Sequence, residues 1–344
     1  MSSRPTSRTI RGEFALIDAI GRQAKSGLAA SRSVRLGIGD DCAILQPRTG
    51  LEICITTDFT LEDRHFRRAW HPPESVGHRC LARGLSDLAA MGAEPLAVFL
   101  SLAIPARLPA AWVNRFLNGF LALARRYRVP LAGGDTAQSP AIGKAHDGLI
   151  LADIVALGQA PRGKAMLRSG AKPGDVLYVT GALGGAAAEL AALQQRSRRF
   201  RNVTRLGPDH PHLFPEPRVT VGQRLRGRAS AAIDISDGLS TDLTHLCELS
   251  GVAATLDERT LPIHARAAQR ENAVELALHG GEDYELLFTA RPEVRVPRRI
   301  AGVSVHRIGT IRQRRPRNRS ALISLQTTEG KSLLITPGGW EHFR

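Results

Sequence analysis

Apolar and polar positions along this chain alternate between two periods, and the apolar stretches stop at small residues and acids. Leu51-Glu52-Ile53-Cys54-Ile55-Thr56-Thr57-Asp58 is rich in β-branched residues and predicts a strand that delivers Asp58 to its end. From Glu74 to Met91 the period is helical. Cys80, Gly84, Asp87 and Met91 share one face there, which sets Asp87 among small and apolar neighbours. An amphipathic helix begins at Glu13, with Phe14, Ile17, Ile20 and Gly21 on one side. Strands are predicted at Leu96 to Ile104 and Gly148 to Leu157, with a helix from Ala111 to Tyr127 between them and a loop at Ala132-Gly133-Gly134-Asp135-Thr136.

A boundary falls near Gly158 to Pro161. Beyond it, Asp175 to Thr180 predicts a strand entering the glycine turn Gly181 to Gly185, then an alanine-rich helix to about Gln195. Gln194 to Pro217, with prolines at 208, 211, 215 and 217, predicts a long loop. The strand Ala231 to Ile235 leads through a Ser-Asp-Gly turn into a helix from Ser240 to Leu249, and Tyr284 to Thr289 reads as the final strand. Both halves mix strands and helices, so the fold class is α/β (α+β) with two domains. The expected division is an arm at 1–11 without fixed structure, an N-terminal domain at 12–160 and a C-terminal domain at 161–344.

Composition narrows the class. With 344 residues and 43% hydrophobic content the chain can bury two cores. It contains no apolar run of bilayer length, and its first residues lack a signal-peptide pattern, so the expectation is a cytoplasmic protein with no membrane partner. The four cysteines show no Cys-x-x-Cys spacing and sit in apolar segments, which predicts reduced and mostly buried thiols. The charge of +15 concentrates in arginine runs at 196–205 and 312–319. A solvated face explains such runs. They carry almost no aromatic residues to stack on bases, which argues against a nucleic-acid partner.

Against that positive background the acids collect at Gly39-Asp40-Asp41, Thr56-Thr57-Asp58, Ser86-Asp87, Gly133-Gly134-Asp135, Asp234-Ile235-Ser236-Asp237-Gly238 and Gly280-Gly281-Glu282-Asp283. Taken alone, Asp40-Asp41, Asp135 and Asp237-Gly238 read more simply as turns or a helix cap, whereas Asp58 at a strand end and Asp87 on an inward helix face need a cation or hydrogen bonds to offset burial. Together they suit hard cations, because magnesium takes one or two carboxylates, waters and the substrate's own phosphates. No Walker-A or protein-kinase signature is present, so any phosphate site uses another cradle. His65, beside Arg64, Arg67 and Arg68, is either structural or a phosphate contact, and Arg168 is either exposed surface or a phosphate clamp.

Taken in order, these motifs resemble the thiamine-monophosphate kinases, in the superfamily of aminoimidazole ribonucleotide synthetase and selenophosphate synthetase. The resemblance rests on Gly12-Glu13-Phe14, Gly37 to Ala43, Thr56 to Asp58, His65-Phe66, Leu85 to Ala93, Gly133 to Thr136, Arg168 to Gly170, Asp234 to Gly238, Gly280 to Leu286 and Gly339 to Phe343. It implies ATP-dependent conversion of thiamine monophosphate to thiamine diphosphate, with ATP as co-substrate and several Mg2+ ions. It implies magnesium ligation by Asp41, Thr56, Thr57, Asp58, Asp87, Asp135, Asp234 and Asp237, with Asp58, Asp87 and Asp237 catalytic. It further implies ATP contacts at Gly134, Asp135, Arg168 and Ser236, and thiamine phosphate contacts at His65, Glu282 and Trp340. The fold it implies is the two-domain synthetase-superfamily fold, whose N-terminal domain forms a β-structure spanning a homodimer and whose C-terminal domain is α/β.

The acceptor in that reaction is a phosphate monoester, already largely ionised at neutral pH, so no general base is essential and direct in-line transfer suffices. The alternatives are an aminoimidazole ribonucleotide synthetase-like enzyme and a basic nucleic-acid-binding protein. Thr56-Thr57-Asp58-Phe59 stands where the former carries a glycine-rich segment. The latter rests on net charge alone.

Overall fold

The computed structural model describes residues 13–25, 33–38, 42–142, 147–195, 210–314 and 322–340. Asp40 and Asp41, the arm at 1–11, the arginine run at 196–205, Arg315, Arg317 and Arg319, and the last four residues lie outside them. The chain divides into two compact units, one of residues 1–84, 95–159 and 198–205, the other of residues 85–94, 160–197 and 206–344.

The first unit carries α1 (Glu13–Lys25), β1 (Val34–Leu36), β2 (Ile44–Leu45), β3 (Leu51–Leu61), most of α2 (Pro73–Ala90), β4 (Glu94–Ile104), α3 (Ala110–Arg126), β5 (Leu131–Gln138) and β6 (Leu151–Pro161). Its four-stranded sheet has the order β3-β6-β4-β5, and β4 and β5 run parallel. Helices α2 and α3 approach through paired glycines. A Cβ on Gly77 would meet the Phe116 carbonyl oxygen at 1.9 Å, and one on Gly119 would meet the Glu74 carbonyl oxygen at 1.9 Å. Gly84 of α2 lies over Ile154 and Ala156 of β6, which are fully buried.

Two expectations for this unit are corrected. The strand expected to end at Asp58, β3, does not stop there. It continues to Leu61, because Phe59, Thr60 and Leu61 sustain the alternation and Thr60 is buried. Ala132 to Thr136 is not a loop but part of β5. The glycine pair, normally a strand breaker, is required here, because Gly134 at φ 151° brings its backbone against Leu100 of β4, where a Cβ would meet the carbonyl oxygen at 1.9 Å.

The second unit carries β7 (Val176–Thr180), α4 (Gly185–Gln195), α5 (Val219–Leu225), β8 (Ala231–Asp234), α6 (Leu239–Ser250), β9 (Val252–Asp257), α7 (Ala265–Ala268), α8 (Ala273–His279), β10 (Leu286–Ala290), β11 (Arg299–Ile300), β12 (Val303–Gln313), β13 (Ile323–Gln326) and β14 (Ser332–Ile335). Its sheet runs β14-β13-β9-β12-β7-β10-β8, with β11 paired to β12. All these pairs are antiparallel except β13 with β9. Leu177, Val179, Ile233, Leu243, Leu246 and Leu287 belong to one buried core.

The strand ending near Thr289 is therefore not the final one, since four more follow. Their polar and arginine-rich alternation hid them: Arg312, read as part of a solvated run, lies in β12 and donates to the Ala254 carbonyl and the Ser324 hydroxyl at 3.0 and 2.9 Å. Helices α5, α7 and α8 lay outside the expected set too; each is seven residues or shorter, too brief to show a helical period. Of the four free cysteines, Cys80 and Cys247 are buried, whereas Cys54 is half-buried and Cys42 exposed.

Candidate functional site

In the second unit three loops meet at the end of β8. Asp234, the last residue of that strand, is buried and accepts a 2.7 Å hydrogen bond from the Ser86 hydroxyl in the last turn of α2. That bond ties the turn bearing half-buried Asp87 to the β8 end. Ile235-Ser236-Asp237-Gly238 then turns into α6. Gly238 sits at φ 119°, and a Cβ there would strike the His279 carbonyl at 2.9 Å. The Glu282 and Tyr284 amides donate to the Ser236 and Ile235 carbonyls at 2.7 and 2.9 Å, and the Trp340 amide donates to the Asp237 carbonyl at 3.1 Å. The sequence-predicted residues Asp234, Ser236, Asp237, Glu282 and Trp340 are thus brought together by backbone contacts.

The loop bearing Glu282 is held in an uncommon conformation. Glu282 and Tyr284 have φ of 66° and 50°, a region that residues with a Cβ seldom occupy and that clusters at functional sites. The Glu282 carboxylate pairs with the buried His212, Oε2 to Nδ1 at 3.1 Å. The His212 amide in turn donates to Glu189 of α4 at 2.8 Å. Next to Glu282, Asp283 is buried and accepts from the Gly184 and Ala186 amides at 2.6 and 3.1 Å, which fixes the glycine turn opening α4. Burial pushes the Asp283 carboxyl up to about 7 despite those two donors.

Three residues of this region, Asp242, His212 and Glu189, escaped the sequence. Asp242, in the first turn of α6, is buried, and its Oδ2 accepts from the amides of Ser236, Asp237 and Gly238, each at 3.1 Å. Burial, followed by the negative charges of Asp234 and Asp237, raises its pKa well above the ordinary carboxylate value. The signal was present as an acid four residues after the turn glycine, but spacing alone does not distinguish a clasp from an exposed helix acid. His212 and Glu189 carried no sequence signal.

In the first unit, Thr56, Thr57 and Asp58 follow one another along β3, with Thr56 and Asp58 half-buried and Thr57 exposed. Asp58 pairs with Arg83 of α2, Oδ1 to Nη2 at 3.2 Å. Asp153 on the adjacent strand β6 has its pKa raised by burial and then by the charge of Asp58. Gly134 and Asp135 are exposed on β5, and the Asp135 carboxylate accepts from the Thr136 amide at 2.9 Å. Strands β3 and β5 are the opposite edges of this sheet, so Asp58 and Asp135 are separated by three strand spacings, on the order of 14 Å along it.

The remaining candidates are local. The His65 Nδ1 accepts from the Leu61 amide at 2.9 Å, and the His65 carbonyl accepts from Arg79 at 3.0 Å, so this histidine closes the turn after β3. Arg168 is exposed, and its carbonyl accepts from the Ser250 hydroxyl at 3.0 Å. Among the described residues no group of three or more His, Cys, Asp or Glu is arranged to enclose a metal ion. Carboxylate and hydroxyl oxygens at Asp234, Ser236 and Asp237, with no thiol or imidazole among them, suit a hard cation completed by a ligand's phosphates. After burial, the negative charges of Asp234 and Asp237 raise the Asp242 pKa, and such a cation would offset that charge.

The fold and these acid-ended loops define an AIR synthase related protein. The N-terminal domain of that family matches residues 39–160 and the C-terminal domain residues 172–315. The thiamine-monophosphate kinase of Salmonella typhimurium is 40% identical over 286 residues, 82% of this chain and 83% of that protein. A crystal structure of thiamine-monophosphate kinase from Stenotrophomonas maltophilia superposes with a TM-score of 0.77 at 36% identity, covering 93% of this chain and 98% of that one. A structure described as AaThiL complexed with AMPPCP and TMP gives 0.72 at 28% identity, covering 97% and 99%. The chain belongs to the thiamine-monophosphate kinase family.

Proposed function

We propose that the chain carries out the reaction of its family, phosphorylation of thiamine monophosphate to thiamine diphosphate with ATP, by direct in-line transfer without a phospho-enzyme. The observation that carries this reading is the likeness over nearly the whole chain to thiamine-monophosphate kinases, one of them holding AMPPCP and TMP together. Magnesium, when bound, offsets the repulsion between the two anions and charge on the transferring group. Asp41, Thr56, Thr57, Asp58, Asp87, Asp135, Asp234 and Asp237 hold the cations in this reading, with Asp58, Asp87 and Asp237 nearest the reacting phosphates. Gly134, Asp135, Arg168 and Ser236 contact ATP, and His65, Glu282 and Trp340 orient thiamine phosphate. The convergence of Asp237, Glu282 and Trp340 supports the part of this assignment that lies in the second unit.

The working form is a cytoplasmic homodimer paired through the N-terminal domain, residues 12–160, with 161–344 as the C-terminal domain. One face of the four-stranded sheet supports this. Ile53, Ile55 and Phe59 project from β3 with 39%, 64% and 60% of their surface exposed, and half-buried Val155 and Leu157 follow on β6. An apolar sheet face of that kind is what a second copy would bury. Among the described residues no helix is long and apolar enough to cross a membrane.

The deciding assay incubates purified protein with Mg-ATP and thiamine monophosphate and measures ADP and thiamine diphosphate. Absence of the diphosphate, with turnover of a formylglycinamidine-type ribonucleotide instead, moves the assignment to the related synthetase. In the same assay Asp58→Asn is expected to lower turnover by orders of magnitude while melting as wild type does; near-normal turnover rejects Asp58 as a cation ligand.

A further inference from the structure

The Asp58 carboxylate, assigned above to a divalent cation, already faces a positive charge. Arg83 reaches from α2 with Nε at 3.4 Å and Nη2 at 3.2 Å from the same oxygen, Oδ1. The two side chains are only 15% and 24% exposed, so water screens the pair incompletely. A guanidinium in that position opposes the arrival of a second cation at the same oxygen. It is also the side chain best suited to transfer its fork of donors to a phosphate.

We propose that Arg83 is an internal counterion that occupies Asp58 in the nucleotide-free chain, competing with the divalent cation until a polyphosphate supplies Arg83 with another anionic partner. This rests on the reading of Asp58 as a cation ligand. Its consequence is that cation and nucleotide load together: the cation alone meets a neutralised carboxylate, whereas the cation with ATP brings the negative charge that draws Arg83 away. By linkage each then strengthens the other's binding. A purely structural ion pair, stapling β3 to α2, has no such consequence.

The test titrates Mn2+ as the probe against the full chain without nucleotide, following free Mn2+ by electron paramagnetic resonance. Wild type, Arg83→Met, Arg83→Lys, Asp58→Asn and Arg83→Met combined with Asp58→Asn are compared. The binding that Arg83→Met loses when Asp58→Asn is added to it defines the site in question. Arg83→Met, which keeps the length and removes the charge, is expected to tighten that site about three- to tenfold, the scale of a partly screened charge pair. Arg83→Lys, which keeps the charge, is expected to stay near wild type. A gain of affinity cannot come from a damaged fold, so unchanged or weaker binding in Arg83→Met, with the Asp58→Asn loss intact, overturns the proposal alone. If adding Asp58→Asn to Arg83→Met leaves Mn2+ binding unchanged, the cation reading of Asp58 falls and this proposal with it. Should Arg83→Met not fold, Arg83→Gln takes its place under the same two criteria.

Discussion

The amide nitrogen of Asp237 lies 3.1 Å from Oδ2 of Asp242, five residues further along the chain. Ser236 and Gly238 donate to the same oxygen, so one buried carboxylate sets the shape of the turn that presents Asp237. Asp242→Ala leaves three amides without this acceptor. It is expected to cost about 2–4 kcal/mol of stability, from the loss of buried hydrogen bonds to a carboxylate, and to lower kcat more than tenfold. Urea unfolding and steady-state kinetics measure the two. Stability and kcat both close to wild type would show that the turn holds its shape without the clasp.

Gly134 is expected to tolerate no side chain. Gly134→Ala drives a Cβ to 1.9 Å from the Leu100 carbonyl oxygen in a backbone region suited to glycine, and should cost more than about 3 kcal/mol or prevent folding. Gly163→Ala is the control, since its φ of 66° is also positive but an added Cβ would meet no heavy atom within 4 Å. It should cost about 1 kcal/mol. Equal costs at the two sites would contradict the close approach of β5 to β4.

Asp283 predicts a pH effect of definite sign. Its carboxyl is raised from 3.8 to about 7, so between roughly pH 4 and 7 the folded chain keeps a proton that the unfolded chain has lost. The stability from this group is therefore full below pH 4 and lost as pH rises through 7. Asp283→Asn removes the titration. Relative to that variant, wild type should lose about 3–4 kcal/mol between pH 4 and 7.5 in denaturant melts. A difference that does not change with pH would mean that the two amide donors hold the carboxylate ionised.

Ile55 and Phe59 test the proposed pairing. Ile55→Lys and Phe59→Lys place charge on side chains that the single chain leaves 64% and 60% exposed, so the fold itself should barely change. Sedimentation equilibrium should show monomer for the double variant and dimer for wild type, with matching far-ultraviolet circular dichroism. A double variant that sediments as dimer would place any pairing elsewhere.

The sequence by itself determined what each segment contributes locally. Leu51 to Asp58, the helix carrying Cys80 to Asp87, the strand 231–235 and the turn at Ser236 to Gly238 follow from period and turn chemistry, and the ordered acid motifs carried the family. Strands β9 and β11–β14 did not, because a strand's partners supply most of its stabilisation, and Arg312 is useful only once Ala254 and Ser324 are beside it. The glycine pair at 133–134 was misread for the same reason: only the neighbouring Leu100 makes the missing side chains a requirement. At the candidate site the acids themselves were legible, and the groups holding them were not. Asp242 beneath the turn, Ser86 on Asp234, His212 on Glu282 and Arg83 on Asp58 are side chains from distant positions or with no distinguishing spacing. Tertiary structure alone decided those pairings, because hydrogen bonds and ion pairs act over a few ångströms of space, and separation along the chain carries little record of them.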